Sequence, residues 1–383
     1  MASLTEPGSN DGGTPYYLVW PRAVTGGLND KSTGIHCRVH KEPKGREVGP
    51  RCSAGKARNM NTNQKSSARL RRRLVNTRGY LSVVALLVFF VVFAALAPRV
   101  FLTLPNLYRV LQHSVITAIS AMGLTFPLLL GGIDLSIGAV FAFVGIVGAT
   151  LATAGGLGAM LAGGLVVGLV LGLVNGTLHV FLRIPSFVVT LGMMLMLQAA
   201  GVLVTGGREI ILARCCLGLG TGVVLVIVGA VVAVATWFII SGTKFGENLR
   251  SIGNSEPVAK ELGVPIRVVK IGAFALCGLL AGLAGLLNTA YTRFAVPDSG
   301  SLTYLLSAMV VVFLGGTSIT GSEGGSVWGI VVGAIAIALL ENGMVITGVP
   351  SMYQPICTGA ILLAVVAITT KRRGLSGQRL VIK

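Results

Sequence analysis

The stretch Phe126-Pro127-Leu128-Leu129-Leu130-Gly131-Gly132-Ile133-Asp134-Leu135-Ser136-Ile137-Gly138 sets an acid and two helix-breaking glycines between two long apolar runs. An aspartate at the centre of a spanning helix costs about 2.5–3.5 kcal/mol on translocon-type scales, so such a residue faces protein or a water-lined cavity. Gly131 and Gly132 interrupt the helix, and Asp134 or Ser136 is then placed to accept the exposed amides of the next helix as an N-cap. Irregular backbone is tolerated inside a bilayer only where protein or water covers it. Two readings therefore stand side by side: a structural cap joining two spans, and a lining of the path between them.

The rest of the composition agrees with a bilayer. Of 383 residues 53% are hydrophobic and only 11% charged, with a mean hydropathy of +0.81, outside the range of soluble domains. A net charge of +18 invites a nucleic-acid reading. The basic residues, however, sit in the N-terminal segment, a few loops and the C-terminal tail, which fits cytoplasmic anchoring beside apolar spans and argues against a nucleic-acid partner. Six cysteines (Cys37, Cys52, Cys215, Cys216, Cys277 and Cys357) show no disulfide or zinc spacing, and His36, Cys37, His40 and Cys52 match no common metal site. Cys277 and Cys357 lie in apolar runs as small packing residues, while Cys215 and Cys216 share a short loop.

Residues 1 to 79 are polar, basic and without apolar periodicity, so they are expected to be a disordered cytoplasmic segment with no signal peptide. A second reading starts the natural chain at Met60 and treats residues 1–59 as an extension. From Tyr80 on, nearly continuous apolar segments are each long enough to cross about 30 Å of hydrocarbon. About ten are expected, near 80–97, 107–130, 135–153, 157–178, 186–205, 219–240, 268–290, 302–316, 325–345 and 353–370. Residues 371–383 form a basic tail. Arg71, Arg72, Arg73 and Arg78, then Arg183, then Lys244 through Lys270, then Lys371 through Lys383 all fall on one side if both termini are cytoplasmic.

Small residues recur every four positions at Gly164, Gly168, Gly172 and Gly176, at Gly278 and Gly282, and at Gly325, Gly329 and Gly333. Such stripes let helix backbones approach closely, chiefly inside the subunit, with one stripe available for a subunit contact. Leu314-Gly315-Gly316-Thr317-Ser318-Ile319-Thr320 faintly echoes Leu130 to Ser136. Paired Gly-interrupted segments are the sequence pointer to a transport path in repeat-built transporters.

The loop Lys244 to Pro265 is the second informative stretch. Asn254 or Ser255 caps a short helix, Pro257 suits its first turn, and Gly263 ends it with Pro265 beyond. No phosphate-binding loop exists: Gly49 to Lys56 has the wrong spacing, and Ala57 stands where Ser or Thr is required. The histidines among the spans, His113 and His179, show no acid or nucleophile partner in the sequence.

The run Gly131-Gly132-Ile133-Asp134-Leu135-Ser136-Ile137-Gly138 resembles the signature of ATP-binding-cassette sugar-importer permeases of the ribose, xylose, arabinose and galactose group. Further matching segments follow in order: Ile184 to Gly192, Gly278 to Gly285, Gly315 to Ser318, Gly324 to Gly329, and Leu340 to Gly343. Gly253, Asn254, Glu256, Ala259 and Gly263 are similar to the family's coupling pattern, with Pro257 and Val258 departing from it. The external loop 206–220 looks shorter than is usual in that family.

The resemblance implies an all-α integral membrane permease with interrupted helices and a cytoplasmic coupling helix, of the bacterial plasma membrane. It pairs with a second copy, binds no cofactor itself, and works with an ATPase subunit that uses ATP and Mg and with an extracytoplasmic solute-binding protein. Asp134, Gly131, Gly132, Ser136, Gly315 and Gly316 are expected near the path; Asn254, Glu256, Ala259 and Gly263 are expected in coupling. A rival is an ion-coupled secondary transporter using Asp134, Glu323 or Glu341.

Overall fold

The computed structural model of the chain describes residues 36–38, 51–53, 79–297, 301–317 and 326–377. The chain divides into two units, Met1–Arg71 and Arg72–Lys383. In the first, β1 (His36–Arg38) and β2 (Arg51–Ser53) pair antiparallel, with Cys37 opposite Cys52. The expectation of a disordered segment over 1–79, and the reading that begins at Met60, fall outside the described residues, apart from this short ladder and the start of the first helix.

The second unit is nearly all helical. Its elements are α1 (Gly79–Leu96), α2 (Pro98–Phe101), α3 (Leu104–Leu129), α4 (Ile137–Phe181), α5 (Ser186–Thr205), α6 (Gly222–Gly242), α7 (Lys244–Asn254), α8 (Glu256–Glu261), α9 (Ile266–Thr292), α10 (Ser301–Leu314), α11 (Val327–Ile346) and α12 (Gln354–Gly377). Six of them, α3, α4, α5, α6, α9 and α11, are long and apolar enough to cross a membrane. Shorter apolar helices cover Leu81–Leu96, Leu302–Leu314 and Gln354–Ile368. The break expected between 153 and 157 is a kink in α4 at Gly156 (φ 66°, ψ −155°), a conformation open to glycine because it has no Cβ. The backbone of α12 runs on past 370 to Gly377.

α3 is the buried axis of the unit. It packs against α6, α9, α10 and α11, and apolar residues such as Ile119, Leu124 and Phe126 along it are wholly enclosed. α5 and α6 instead expose Phe187, Leu195, Leu203, Val231 and Phe238, where hydrocarbon is the natural solvent. Lipid tails are as apolar as leucine, so burial adds little drive for helix association and close packing must supply it.

The closest packing joins α4 to α9. A Cβ on Gly168 would stand 2.7 Å from Gly278 O and 3.2 Å from Gly282 Cα, and one on Gly278 would stand 2.8 Å from Gly172 Cα. Backbone thus meets backbone along this seam, and the small-residue stripes of the two helices serve the inside of the subunit. At one end of the unit β3 (Ile210–Ile211) pairs antiparallel with β4 (Phe294–Ala295), and a 3-10 turn spans Arg214–Gly220.

Candidate functional site

The link between α3 and α4 is built by three neighbouring helices. α3 ends when Gly131 turns left-handed (φ 78°), with Gly131 N–H donating to Leu128 O and Gly132 N–H to Pro127 O, a Schellman stop. Ile133 N–H donates to Ser186 Oγ (3.1 Å) and Leu135 N–H to Thr190 Oγ1 (3.0 Å), both on α5. Asp134 Oδ1 accepts from Ser136 N–H (2.9 Å) and from the Ser136 hydroxyl (2.6 Å), while Asn175 of α4 donates to Ser136 Oγ (2.8 Å). The Cys277 side chain of α9 lies beside Asp134.

This arrangement corrects the expected cap. Ser136 does occupy the position before α4, but its side chain bonds none of that helix's free amides, and Asp134 takes the amide two residues on. With 2% of its surface exposed, Asp134 faces protein, and its carboxyl accepts two hydrogen bonds from its own turn.

Gly131 and Gly132 do border open space. Together with Ile133, His179, Phe187, Glu256, Lys270 and Phe274 they line a cleft of about 360 Å³. The two glycines expected at the path and the Glu256 expected in coupling, 124 residues apart in sequence, therefore share one cleft. Lys270 Nζ reaches Glu256 Oε2 at 2.8 Å and ties α8 to the first turns of α9.

α8 itself matches the sequence reading in outline. Asn254 closes α7, Ser255 is extended, and six residues follow with Pro257 in the first turn. Ser255 makes no side-chain cap, so neither expected cap is used. Ala259 is buried, and Gly263 (φ 76°) ends the helix with Val264 N–H donating to Ala259 O (3.1 Å). Beside it Arg183, Lys260, Arg267 and Lys270 border a basic cleft of about 810 Å³.

Gly315 and Gly316 close α10 by the same Schellman stop, Gly316 N–H to Phe313 O and Thr317 N–H to Val312 O. The left-handed residue here is Gly316 (φ 87°), so the echo with Gly131 is real in geometry but offset by one position. Gly315 presses against α11, where its Cβ would lie 2.9 Å from Ile330 N. Ser318 to Gly325, including Glu323, lie outside the described residues.

The opposite end of α3 holds a group that local sequence reasoning missed. His113 Nδ1 lies 3.4 Å from Glu341 Oε2, which corrects the reading of His113 as lacking an acid partner. Ser307 donates to Glu341 Oε1 (2.6 Å), Tyr304 donates to Asn288 Oδ1 (2.9 Å) and packs on Phe141 at 4.1 Å, and Asn106 and Asn342 exchange amide bonds at 3.0 Å. Of these, His113, Tyr304, Ser307, Glu341 and Asn342 border a cavity of about 460 Å³. His179, by contrast, is satisfied by Ile184 O at 2.7 Å. No group of three or more metal-ligating side chains occurs among the described residues.

Interrupted apolar helices stopped by glycines, with a short surface helix tied to one of them, define a multi-pass membrane protein. The chain belongs to the family described as branched-chain amino acid transport system / permease component, whose model matches residues 106–366. It is 33% identical over 304 residues to the ribose import permease protein of Escherichia coli strain K12, covering 76% of this chain and 94% of that one. It is 32% identical over 318 residues to the L-arabinose ABC transporter permease protein of Azospirillum brasilense (79% and 89%), and 30% identical over 289 residues to the D-allose transport system permease protein of E. coli K12 (72% and 87%). No solved structure matches the chain.

Proposed function

We propose that this chain is the membrane-spanning permease subunit of an ATP-binding-cassette importer and carries a small sugar or polyol across a bacterial plasma membrane. The observation that carries the reading is the match over 304 residues to a ribose import permease, joined to a family match over residues 106–366 that takes in the link at Asp134, α8 and Glu341 alike. The relatives are transport components, and the same role, rather than an enzyme's, is assigned here. The sugar relatives also decide against the ion-coupled alternative.

In this reading the apolar segments make about ten spans, with the kinked α4 counted twice and both termini cytoplasmic. α8 is the coupling helix. The Glu256–Lys270 pair and the short Leu262–Pro265 link pass its movement to α9, and the glycine seam carries α4 with it. The chain pairs with a second copy. A separate ATPase subunit using ATP and Mg docks at α7 and α8, and a solute-binding protein delivers substrate at the opposite end. A near-complete switch of the open side needs about 5.5 kcal/mol of differential binding between the two states, which nucleotide supplies at the ATPase.

Vesicles holding the chain with its ATPase and binding protein should take up radiolabelled ribose, arabinose or a related sugar only with ATP. Disrupting residues 253–263 should abolish uptake while the protein remains folded. Uptake by the chain alone, driven by an ion gradient, would overturn the assignment.

A further inference from the structure

We propose that the cavity at the end of the unit opposite α8 is where this subunit holds its solute, and that it is shaped for a neutral, polyhydroxylated molecule of monosaccharide size; this rests on the permease reading above. The cavity lies between the start of α3 (Arg109, His113), the end of α9 (Tyr291), the start of α10 (Tyr304, Ser307) and the end of α11 (Glu341). Its volume of about 460 Å³ lies inside the range of roughly 300–1,000 Å³ typical of small-molecule sites.

The chemistry of the lining selects the class. A sugar hydroxyl donates and accepts at once, and so requires a wall that offers both. Tyr304 and Ser307 spend their protons on Asn288 and Glu341, which leaves their oxygens as acceptors toward the cavity. Glu341 keeps unused lone pairs beyond the ones directed at Ser307 and His113. Arg109 supplies guanidinium donors and has no ion-pair partner among the described residues. The rings of Tyr291 and Tyr304 add aromatic surface for the C–H face of a sugar. A zwitterionic amino acid, by contrast, needs an unpaired anion as well as an unpaired cation, and Glu341 already faces His113 and Ser307. A bare divalent cation would meet a single carboxylate.

The position fits this use. From His113 on the cavity wall to the end of α3 at Leu129 the helix rises about 24 Å toward the Gly131 break, so a solute entering here lies across the bundle from the cleft shared with α8.

The test uses the full chain reconstituted with its ATPase and binding protein. Thr303→Cys, on the cavity wall and in a chain that also carries Cys215→Ser, is labelled with a maleimide in the presence of D-ribose, L-arabinose, D-galactose, D-allose or L-leucine, and labelling at position 303 is read by mass spectrometry. In parallel, uptake of each is measured for wild type, Glu341→Gln, Tyr304→Phe and the control Thr153→Ala, whose hydroxyl bonds only its own helix. We expect one or more sugars to slow labelling, and Glu341→Gln and Tyr304→Phe to cut their uptake about tenfold and to change the ratio between sugars, which a general folding defect would not do. Tyr304→Phe keeps the packing on Phe141, so its result stands even if Glu341→Gln folds poorly. Wild-type sugar uptake with unprotected labelling and unaltered sugar ratios overturns the cavity assignment and leaves the permease reading intact. Protection by leucine alone overturns the sugar class. No ATP-driven sugar uptake by wild type overturns both.

Discussion

Gly168→Ala tests whether backbone contact along the α4–α9 seam, rather than apolar burial, holds the unit together. The added methyl would stand 2.7 Å from Gly278 O and 3.2 Å from Gly282 Cα. An unstrained separation is about 3.5 Å, so the helices must part by about 0.8 Å at that point. A gap of that size forfeits roughly a quarter to a half of the attraction between atoms that had been in contact, and the loss is shared by the neighbouring contacts of Gly172 and Gly282. Overpacking of this kind costs about 1–3 kcal/mol, and about 2 kcal/mol corresponds to a roughly 30-fold change in the folded-to-unfolded ratio. Gly192→Ala on α5 is the matched control, because nothing lies within 4 Å of its added methyl. It should be neutral or gain about 0.5–1 kcal/mol from reduced backbone freedom. Reversible unfolding of the purified chain in mixed micelles with increasing sodium dodecyl sulfate measures both. Equal midpoints for Gly168→Ala and wild type would refute the seam argument.

Three further outcomes follow from the geometry. Asp134→Asn keeps an acceptor for Ser136, whereas Asp134→Ala strands a buried amide and hydroxyl; the alanine variant should unfold about 1–3 kcal/mol more easily than the asparagine one in the same micelle assay. Gly263→Val forces a β-branched residue into a left-handed turn at a cost of about 1 kcal/mol or more, so the Val264 amide, bonded to Ala259 O, should exchange with solvent about fivefold faster by mass spectrometry. Cys215 is exposed within the 3-10 turn while Cys216 and Cys277 are buried; an impermeant maleimide should label Cys215 only from the side opposite Lys244 and Arg250, and labelling from their side would reverse the orientation.

Much of the chain's architecture is local and so could be read locally. A left-handed glycine ends a helix wherever it occurs, because only residues adjacent in sequence decide the turn, and Gly131, Gly263 and Gly316 all do so. Run length and hydropathy located the apolar segments for the same reason, and the weak point at Gly155-Gly156 was visible as two small residues between two runs. The capping expectation failed at Ser136 and Ser255 because a hydroxyl has several acceptors and donors within reach, and tertiary neighbours decided which it used.

The amino acids alone determined that this is a multi-pass membrane protein broken by glycines at defined points, since that conclusion needs only hydropathy, backbone freedom and residues near one another in the chain. Only the folded arrangement decided that Asp134 is enclosed by Ser136, Asn175 and Cys277, that Gly131 and Glu256 border the same cleft, and that His113 meets Glu341 across 228 residues of chain. A hydrogen bond or ion pair of about 3 Å demands a position in space. Position in space is set by how the glycine seam lets helices approach, a sum over many distant contacts that no short stretch of sequence contains.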